Sequence, residues 1–308
     1  MADDVLERVR ATGLLEPQAD VLALLSGGRD SVCLLDVAVE LQSRVRALHV
    51  NYGLRPGADG DEAFSRQLCE RLGVPLAVRQ AHRAADATGN LQAWARDVRY
   101  AEAEREAGGA LIAVAHTASD QAETILYRLA SSPGRRALLG MEPRAGRIVR
   151  PLLGITREET GAWCRARGLA WRDDPTNESD GYARGRVRAR LLPALEAVDP
   201  RAAANVVRTA GLLRDEAEVL EDVVDATLAQ RRAIERARLA EMPVALARLV
   251  VRRLAEDATG GLCARAAARL GDILALGDDG ALDVGDGARA VVERGVVRFE
   301  PTPQLQGD

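Results

Sequence analysis

The sequence predicts an α/β protein, a parallel sheet flanked by helices, followed by a smaller and mainly helical C-terminal domain. Three observations predict it. Between residue 20 and about 115, short apolar or β-branched runs alternate with longer stretches of helical period, the pattern of parallel strands joined by crossover helices. The turn Ser26-Gly27-Gly28-Arg29-Asp30-Ser31 stands where the first such strand hands over to a helix. From Leu191 to about Gly277 the chain is instead almost uninterrupted Ala-, Leu- and Arg-rich helix.

The elements follow in order. Val21 to Leu25, Arg44 to Val50, Leu76 to Gln80 and Ala110 to Ala115 are the strand candidates, with helices over 31–42, 59–72 and 90–107 between them. Open parallel sheets bind ligands beyond the carboxyl ends of their strands, so the residues just after each strand are the ones to inspect. Residues 132–155 are rich in Gly, Pro and Arg and read as a loop or flap. Thr156 and Glu159 have capping-box spacing and predict a helix to about Arg167. Near the end, Ala290 to Glu293 and Val296 to Phe299 flank Arg294-Gly295 and read as a small hairpin. The domains expected are residues 1–215 and 216–308, the second mainly helical with the terminal hairpin.

Composition narrows the class. With 308 residues, 47% of them hydrophobic, the chain can bury a substantial core. Aromatics are 3%, so that core must be built from Ala, Leu and Val. The first residues are acidic and lack a continuous apolar run; they read as neither signal peptide nor membrane anchor, and a cytoplasmic protein is expected. Cys33, Cys69, Cys164 and Cys263 form no C-x-x-C pair and read as buried free thiols. All 42 basic residues are Arg, and against 46 acids the net charge is −4. Nine Arg face three acids between Arg128 and Arg167, and seven face two between Arg184 and Arg214. Clustered arginine is the footprint of phosphate-backbone contact; a solvated Arg-rich surface gives the same count. The apolar stripes of the C-terminal helices can face a core or a twin subunit, which leaves a homodimer open.

The run from Ser26 to Ser31 carries chemistry most directly. A helix start leaves N–H groups unpaired and carries partial positive charge, while two glycines let the main chain approach an anion. The common P-loop needs a lysine for the β and γ phosphates, and this chain has none. The reading is a nucleotide site of another kind. In Ala115-His116-Thr117-Ala118-Ser119-Asp120-Gln121-Ala122-Glu123-Thr124, His116 closes a strand, and Asp120 and Glu123, three apart, share one face of the next helix. Such a carboxylate pair suits Mg²⁺ or a cationic amine. Asp120 by itself also compensates the helix dipole. His49, at the end of an apolar strand, reads on its own as a satisfied core histidine.

Ser26 to Ser31 resembles the SGGxDS motif of the PP-loop ATP pyrophosphatases. His49-Val50-Asn51-Tyr52-Gly53-Leu54-Arg55 resembles the HVxHGLR run of the tRNA(Ile)-lysidine synthases in that family, with Tyr52 where a histidine is usual. Trp94-Ala95-Arg96-Asp97-Val98-Arg99-Tyr100 resembles the ARxxRY helix, and Ala115 to Thr124 the AHxxxDQAET motif. Trp171-Arg172-Asp173-Asp174-Pro175-Thr176-Asn177, with Tyr182-Ala183-Arg184-Gly185-Arg186-Val187-Arg188 and Leu191-Leu192-Pro193, resembles DDPxN…RNRIR…LLP, Gly185 replacing an asparagine. The resemblance runs through five ordered motifs between about residues 20 and 195 and fits the short form with one small C-terminal domain.

The resemblance implies an adenine nucleotide alpha hydrolase-like fold with ATP and Mg²⁺ as cofactors. It implies ligation of free L-lysine to carbon 2 of the wobble cytidine of tRNA(Ile) with a CAU anticodon, through an adenylated cytidine. Ser26, Gly27, Gly28, Arg29, Asp30, Ser31 and His49 would then bind the nucleotide, Asp30 also supporting Mg²⁺. Arg96 would stabilise charge on the polyphosphate or the adenylate. His116, Asp120 and Glu123 would line the lysine and cytidine end, any of them being the base toward the amine, and Arg186 would act at the reacting nucleotide. Arg55, Arg135, Arg136, Arg184 and Arg188 would contact tRNA, with the C-terminal domain contributing. Three other readings stay in view. A tRNA thiolase such as a 2-thiocytidine synthetase needs sulfur-carrying cysteines; a catalytically dead tRNA-binding paralogue would bind without turnover; an amidating enzyme of a small molecule would bind no tRNA.

Overall fold

The computed structural model describes residues 2–54, 57–83, 88–132, 134–172 and 183–303. The chain divides into two compact units, Met1–Leu213 and Arg214–Asp308.

In the first unit the elements run α1 (Ala2–Ala11), β1 (Asp20–Leu24), α2 (Arg29–Glu40), β2 (Arg44–Asn51), α3 (Ala58–Leu72), β3 (Leu76–Gln80), α4 (Leu91–Ala107), β4 (Leu111–Ala113) and α5 (Ala118–Ser131). There follow α6 (Arg135–Leu138), β5 (Arg144–Ala145), β6 (Ile148–Val149), α7 (Arg157–Ala166), α8 (Ala183–Arg186), a π-helical turn (Val187–Leu191) and α9 (Leu192–Val198). The six strands form one sheet in the order β3-β2-β1-β4-β6-β5, parallel except for the edge pair β5 and β6. Alternation along β1 shows why both faces must be covered. Val21, Ala23 and Leu25 pack with residues of α1, α2 and α7, whereas Leu22 and Leu24 pack with Ile112, Val114 and the α4 residues Ala103 and Ala107. Small side chains on α2 and α4 let the helices lie close to the sheet, which is how a core poor in aromatics still fills.

The expected strands and helices of residues 20–115 are present within a few residues. The segment 132–155 differs from the expected flap: it makes a helical turn and a two-strand hairpin that extends the sheet, with β6 parallel to β4 (Ile112 beside Ile148). Strands of two residues show no periodicity, so neighbours rather than local pattern create them. The Thr156/Glu159 box caps α7, each side chain accepting from the other's backbone N–H at 3.2 and 2.7 Å. α7 is fastened to α2 by buried Asp36, which accepts from Trp163 Nε1 (2.8 Å) and Arg167 Nε (2.9 Å).

The long helix α10 (Ala202–Leu228) contains the division point. The second unit continues with β7 (Ala233–Glu235), α11 (Arg236–Glu241), α12 (Val244–Thr259), a 3₁₀ turn (Ala266–Arg269), α13 (Leu270–Leu274), β8 (Ala281–Gly285), β9 (Ala288–Glu293) and β10 (Val296–Pro301). Its four strands form an antiparallel sheet ordered β7-β10-β9-β8, which adds β7 and β8 to the two strands of the expected hairpin. The expected hairpin is β9 and β10. β7, read as helix, is drawn into a strand by pairing with β10, Ile234 lying opposite Val297. Val250, Val251 and Leu254 of α12 form the core with Val292 and Val297. Among the described residues no helix is long and apolar enough to cross a membrane.

Candidate active site

β1 has β2 on one side and β4 on the other, so the strand order reverses at its carboxyl end. Such a switch point leaves a crevice. A cavity of about 750 Å³ opens there, lined by the loop after β1, by Leu48, Val50 and Tyr52 from β2 and its exit, by Val114 to His116, and by Gly185, Arg188 and Ala189. Five guanidiniums (Arg29, Arg99, Arg157, Arg172, Arg188) and two carboxylates (Asp30, Asp120) complete its wall. That balance favours a polyanion, in a volume typical of nucleotide-sized ligands.

The loop is built to leave amides free. Gly27 has φ +83°, a left-handed conformation that suits glycine and that a residue with a Cβ adopts only with backbone strain. Gly28 caps α2 with no side-chain hydrogen bond to the first turn, so the first N–H groups of α2 await an acceptor. Ser31 Oγ donates to Gly28 O (2.8 Å) and accepts from Ser26 N (3.2 Å), closing the loop on itself. From outside, Arg172 N donates to Gly27 O (2.9 Å) while its Nε donates to buried Asp61 Oδ1 (2.5 Å). Asp30 Oδ1 accepts from Thr160 Oγ1 (2.5 Å) and Arg29 Nε (3.3 Å), with Arg157 Nε 3.5 Å from its other oxygen.

α5 supplies a neighbouring part of the wall. Thr117 caps it, and Asp120 Oδ2 accepts from Thr117 N (2.9 Å) and Oγ1 (2.8 Å) while Oδ1 accepts from Arg157 Nη2 (3.0 Å). Asp120 therefore serves as cap and as cavity carboxylate together. Glu123, buried one turn on, takes a two-point contact from Arg188, Nε to Oε1 at 2.6 Å and Nη2 to Oε2 at 2.7 Å. The Arg188 guanidinium is raised above its ordinary value chiefly by the Glu123 hydrogen bonds, against the effect of burial. Arg188 reaches it from the π turn, where Leu192 N–H bonds Val187 O five residues back. Pro193 supplies no N–H for the ordinary i−4 bond to Ala189, which favours the wider turn. His116 lines the same cavity. Burial, opposed first by Asp120 and helped by the cationic Arg150, Arg96 and Arg99, pushes its imidazole down to about 4, so the ring is neutral at pH 7. Its Nδ1 is buried without a hydrogen-bond partner among the described residues.

The structure thus brings Ser26, Gly28, Arg29, Asp30, Ser31, His116, Asp120 and Arg188 to one cavity. Other expected residues stand elsewhere. His49 is buried beneath the loop with Nδ1 2.9 Å from Leu25 O and 3.3 Å from Ser65 Oγ, so it supports the nucleotide loop from behind. Arg96 lies over the Tyr100 ring at 4.8 Å, and Arg99, three residues on, reaches the wall instead. Glu123 sits behind Arg188 rather than on the cavity wall. Arg188, expected on tRNA, is turned inward to that carboxylate, and Arg186, expected at the reacting nucleotide, is exposed and off the wall. Arg135 and Arg136 lie on α6, and Arg184 is exposed on α8. Arg55, Asp174, Pro175, Asn177 and Tyr182 fall outside the described residues. Tyr52, in the place of a histidine, donates to Ala95 O (3.0 Å) and meets Trp94 edge-on at 5.8 Å. Gln121 is a clamp: its amide donates to Met141 O (2.9 Å) and accepts from Met141 N (2.7 Å).

Arg157, Thr160 and Arg172 were missed. Arg157 lies within 4 Å of Asp30, Asp120 and Glu123 at once. The signal available was its place directly after the capping threonine, where an arginine opposes the helix dipole and needs another reason to be there. The four cysteines are buried free thiols, none on the cavity wall.

Residues 4–195 match the PP-loop domain family. A tRNA(Ile)-lysidine synthase of Thermus thermophilus is 41% identical over 253 residues, covering 79% of this chain and 50% of that protein. One from Gloeobacter violaceus is 37% identical over 260 residues, covering 79% of this chain and 78% of its own length. The chain spans about half the length of the Thermus relative. In fold, it is similar to the U34-tRNA thiolase NcsA from Methanococcus maripaludis, with TM-score 0.58 and 22% identity over 69% of this chain and 78% of that one. The family match covers the whole six-stranded sheet, every segment of the cavity wall included, and this chain belongs to the PP-loop family, in the branch of the tRNA(Ile)-lysidine synthases.

Proposed function

We propose that this chain ligates free L-lysine to carbon 2 of the wobble cytidine of tRNA(Ile) bearing a CAU anticodon, consuming ATP and releasing AMP and pyrophosphate in the cytoplasm. The observation that carries the reading is the meeting, in one cavity, of an uncapped glycine turn, five arginines and the Asp120 carboxylate. The first two suit a polyphosphate, and the third, joined to Asp30 through the shared Arg157 guanidinium, offers a carboxylate to a cationic amine.

In this reading the cytidine O2 attacks the α phosphorus, forming C2–O–P as the bond to pyrophosphate breaks. The uncapped amides at the start of α2, Arg29 to Ser31, with the Arg29 and Arg172 side chains, stabilise charge on the departing pyrophosphate. Asp30 would hold Mg²⁺ with phosphate oxygens and water; a single carboxylate beside a phosphate loop fits that ion's preference, and the ion would supply charge neutralisation. The lysine amine, once deprotonated, then forms the C2–N bond while C2–O breaks and AMP departs with the oxygen. Asp120 attracts the incoming ammonium. His116, neutral at pH 7, borders that path without adding a repelling charge. The second unit would add contacts to tRNA.

The test is incubation with ATP, Mg²⁺, radiolabelled lysine and the CAU tRNA, scoring label retained on RNA. ATP-dependent label, lost in Asp30→Ala, is expected. ATP cleavage to AMP and pyrophosphate without label would overturn the assigned acceptor and nucleophile while leaving the nucleotide site standing.

A further inference from the structure

One group of arginines lies off the cavity wall and is absorbed by none of the steps above. The segment Gly140-Met141-Glu142 is pinned from three sides. Arg128 Nη1 donates to Gly140 O (2.5 Å), Gln121 clamps both backbone groups of Met141, and Arg150 Nη1 donates to Glu142 O (2.6 Å). Two guanidiniums are thereby anchored side by side, each by one nitrogen, on carbonyls two residues apart. Arg150 is 8% exposed and its Nε is buried without a hydrogen-bond partner. α8 packs on α5, and its Arg184, one helical turn before Arg188, lies near enough for its charge to act on Arg128 together with that of Arg150. Among the described residues no carboxylate forms an ion pair with Arg128, Arg150 or Arg184. Arg128 is accordingly held below its ordinary value, first by burial and then by the charges of Arg184 and Arg150. Three uncompensated cations this close repel one another, and an anion between them would relieve it.

We propose that Arg128, Arg150 and Arg184 form a subsite for one backbone phosphate of the RNA substrate, beside the cavity that takes the reacting base. The cluster stands apart from the wall where the nucleotide's phosphates would lie, so the anion it fits is a phosphodiester of the acceptor strand. This rests on the reading of the cavity as an RNA-modifying site.

The experiment is a cycle between protein and RNA. Anticodon stem-loops carrying a neutral methylphosphonate at one position at a time are titrated against the full chain and against Arg184→Ala and Arg128→Gln. One position should cost the unaltered chain on the order of tenfold in affinity and cost the variants almost nothing further. Each variant should weaken the unmodified stem-loop about tenfold and flatten the salt dependence by about one phosphate contact. KM for ATP should stay unchanged; a rise there would assign the cluster to the nucleotide and overturn the proposal. Losses that add at every position would also overturn it, whatever the ligation assay gives. Coupling at one phosphate without lysine incorporation would keep the subsite and sink the proposed reaction. Arg184 is exposed, so its variant folds even if Arg128→Gln does not.

Discussion

At the scale of single residues, the site is organised by charges that compensate one another. Arg157 bridges three carboxylates brought from α5 and the phosphate loop, and Arg188 covers Glu123. Replacing Glu123 by Gln removes the charge that draws Arg188 inward, and at least a tenfold fall in lysine ligation is expected from the loss of a charge-assisted pair, with ATP binding retained. Equal rates for the variant would remove Glu123 from the machinery. His116 makes a pH prediction. Its folded value of about 4 lies below the unfolded value near 6.5, so the unfolded chain takes the proton first as pH falls. The contribution of this residue to stability is therefore undiminished above about pH 6.5 and declines as pH drops toward 4. An NMR titration should find the ring resonances constant from pH 8 to 5, and a midpoint near 6.5 would contradict the burial described. Asp36 makes a stability prediction. Asp36→Ala strands Trp163 Nε1 and Arg167, and about 2 to 3 kcal/mol should be lost in urea unfolding, less than a fully buried pair costs because Arg167 is partly exposed.

At the scale of elements, turns that depart from ordinary geometry aim the functional groups. Gly27→Ala would force a Cβ into φ +83°, at a cost of about 1 to 2 kcal/mol. Its Cβ would meet Phe64 Cδ1 at 3.4 Å, ordinary contact, so the fold should survive with weakened ATP binding measurable by calorimetry. Pro193→Ala supplies the missing donor to Ala189 and lets the π turn tighten toward α geometry. Arg188 would then rotate away from Glu123 by up to about 100°. Helical circular dichroism should be unchanged while ligation falls; full activity would show that the turn does not depend on Pro193. These elements also mark the limit of legibility. The glycine turn and the Thr156/Glu159 box were readable because their spacing states a local hydrogen-bond requirement. The π turn and the two-residue strands β5 and β6 were not, because pairing partners far along the chain stabilise them.

At the scale of the whole molecule, the two units have cores with no residue in common. Every cavity-lining residue belongs to the first. Leu254→Ala, in the core of the second unit, should cost about 2 to 5 kcal/mol there alone. All three tryptophans, Trp94, Trp163 and Trp171, lie in the first unit, so fluorescence reports on it selectively. The variant should shift the circular-dichroism transition and leave the fluorescence transition in place. A joint shift would show that the units unfold together.

The sequence by itself determined the alternating strands and helices, the nucleotide turn after β1 and the carboxylates of α5, because period, glycine placement and capping are local physical constraints. Only the tertiary structure decided which charges meet. It put His49 beneath the loop, placed Arg99 at the wall and Arg96 over Tyr100, and turned Arg188 inward while Arg186 faces out. It also drew Arg157 into the centre of the site from a helix start whose capping box states only a local hydrogen-bond requirement. A side chain's type is written in the chain, but its partner is chosen by how distant elements pack. In a protein whose 42 basic residues are all arginine, charge alone could not say which of them would face the site.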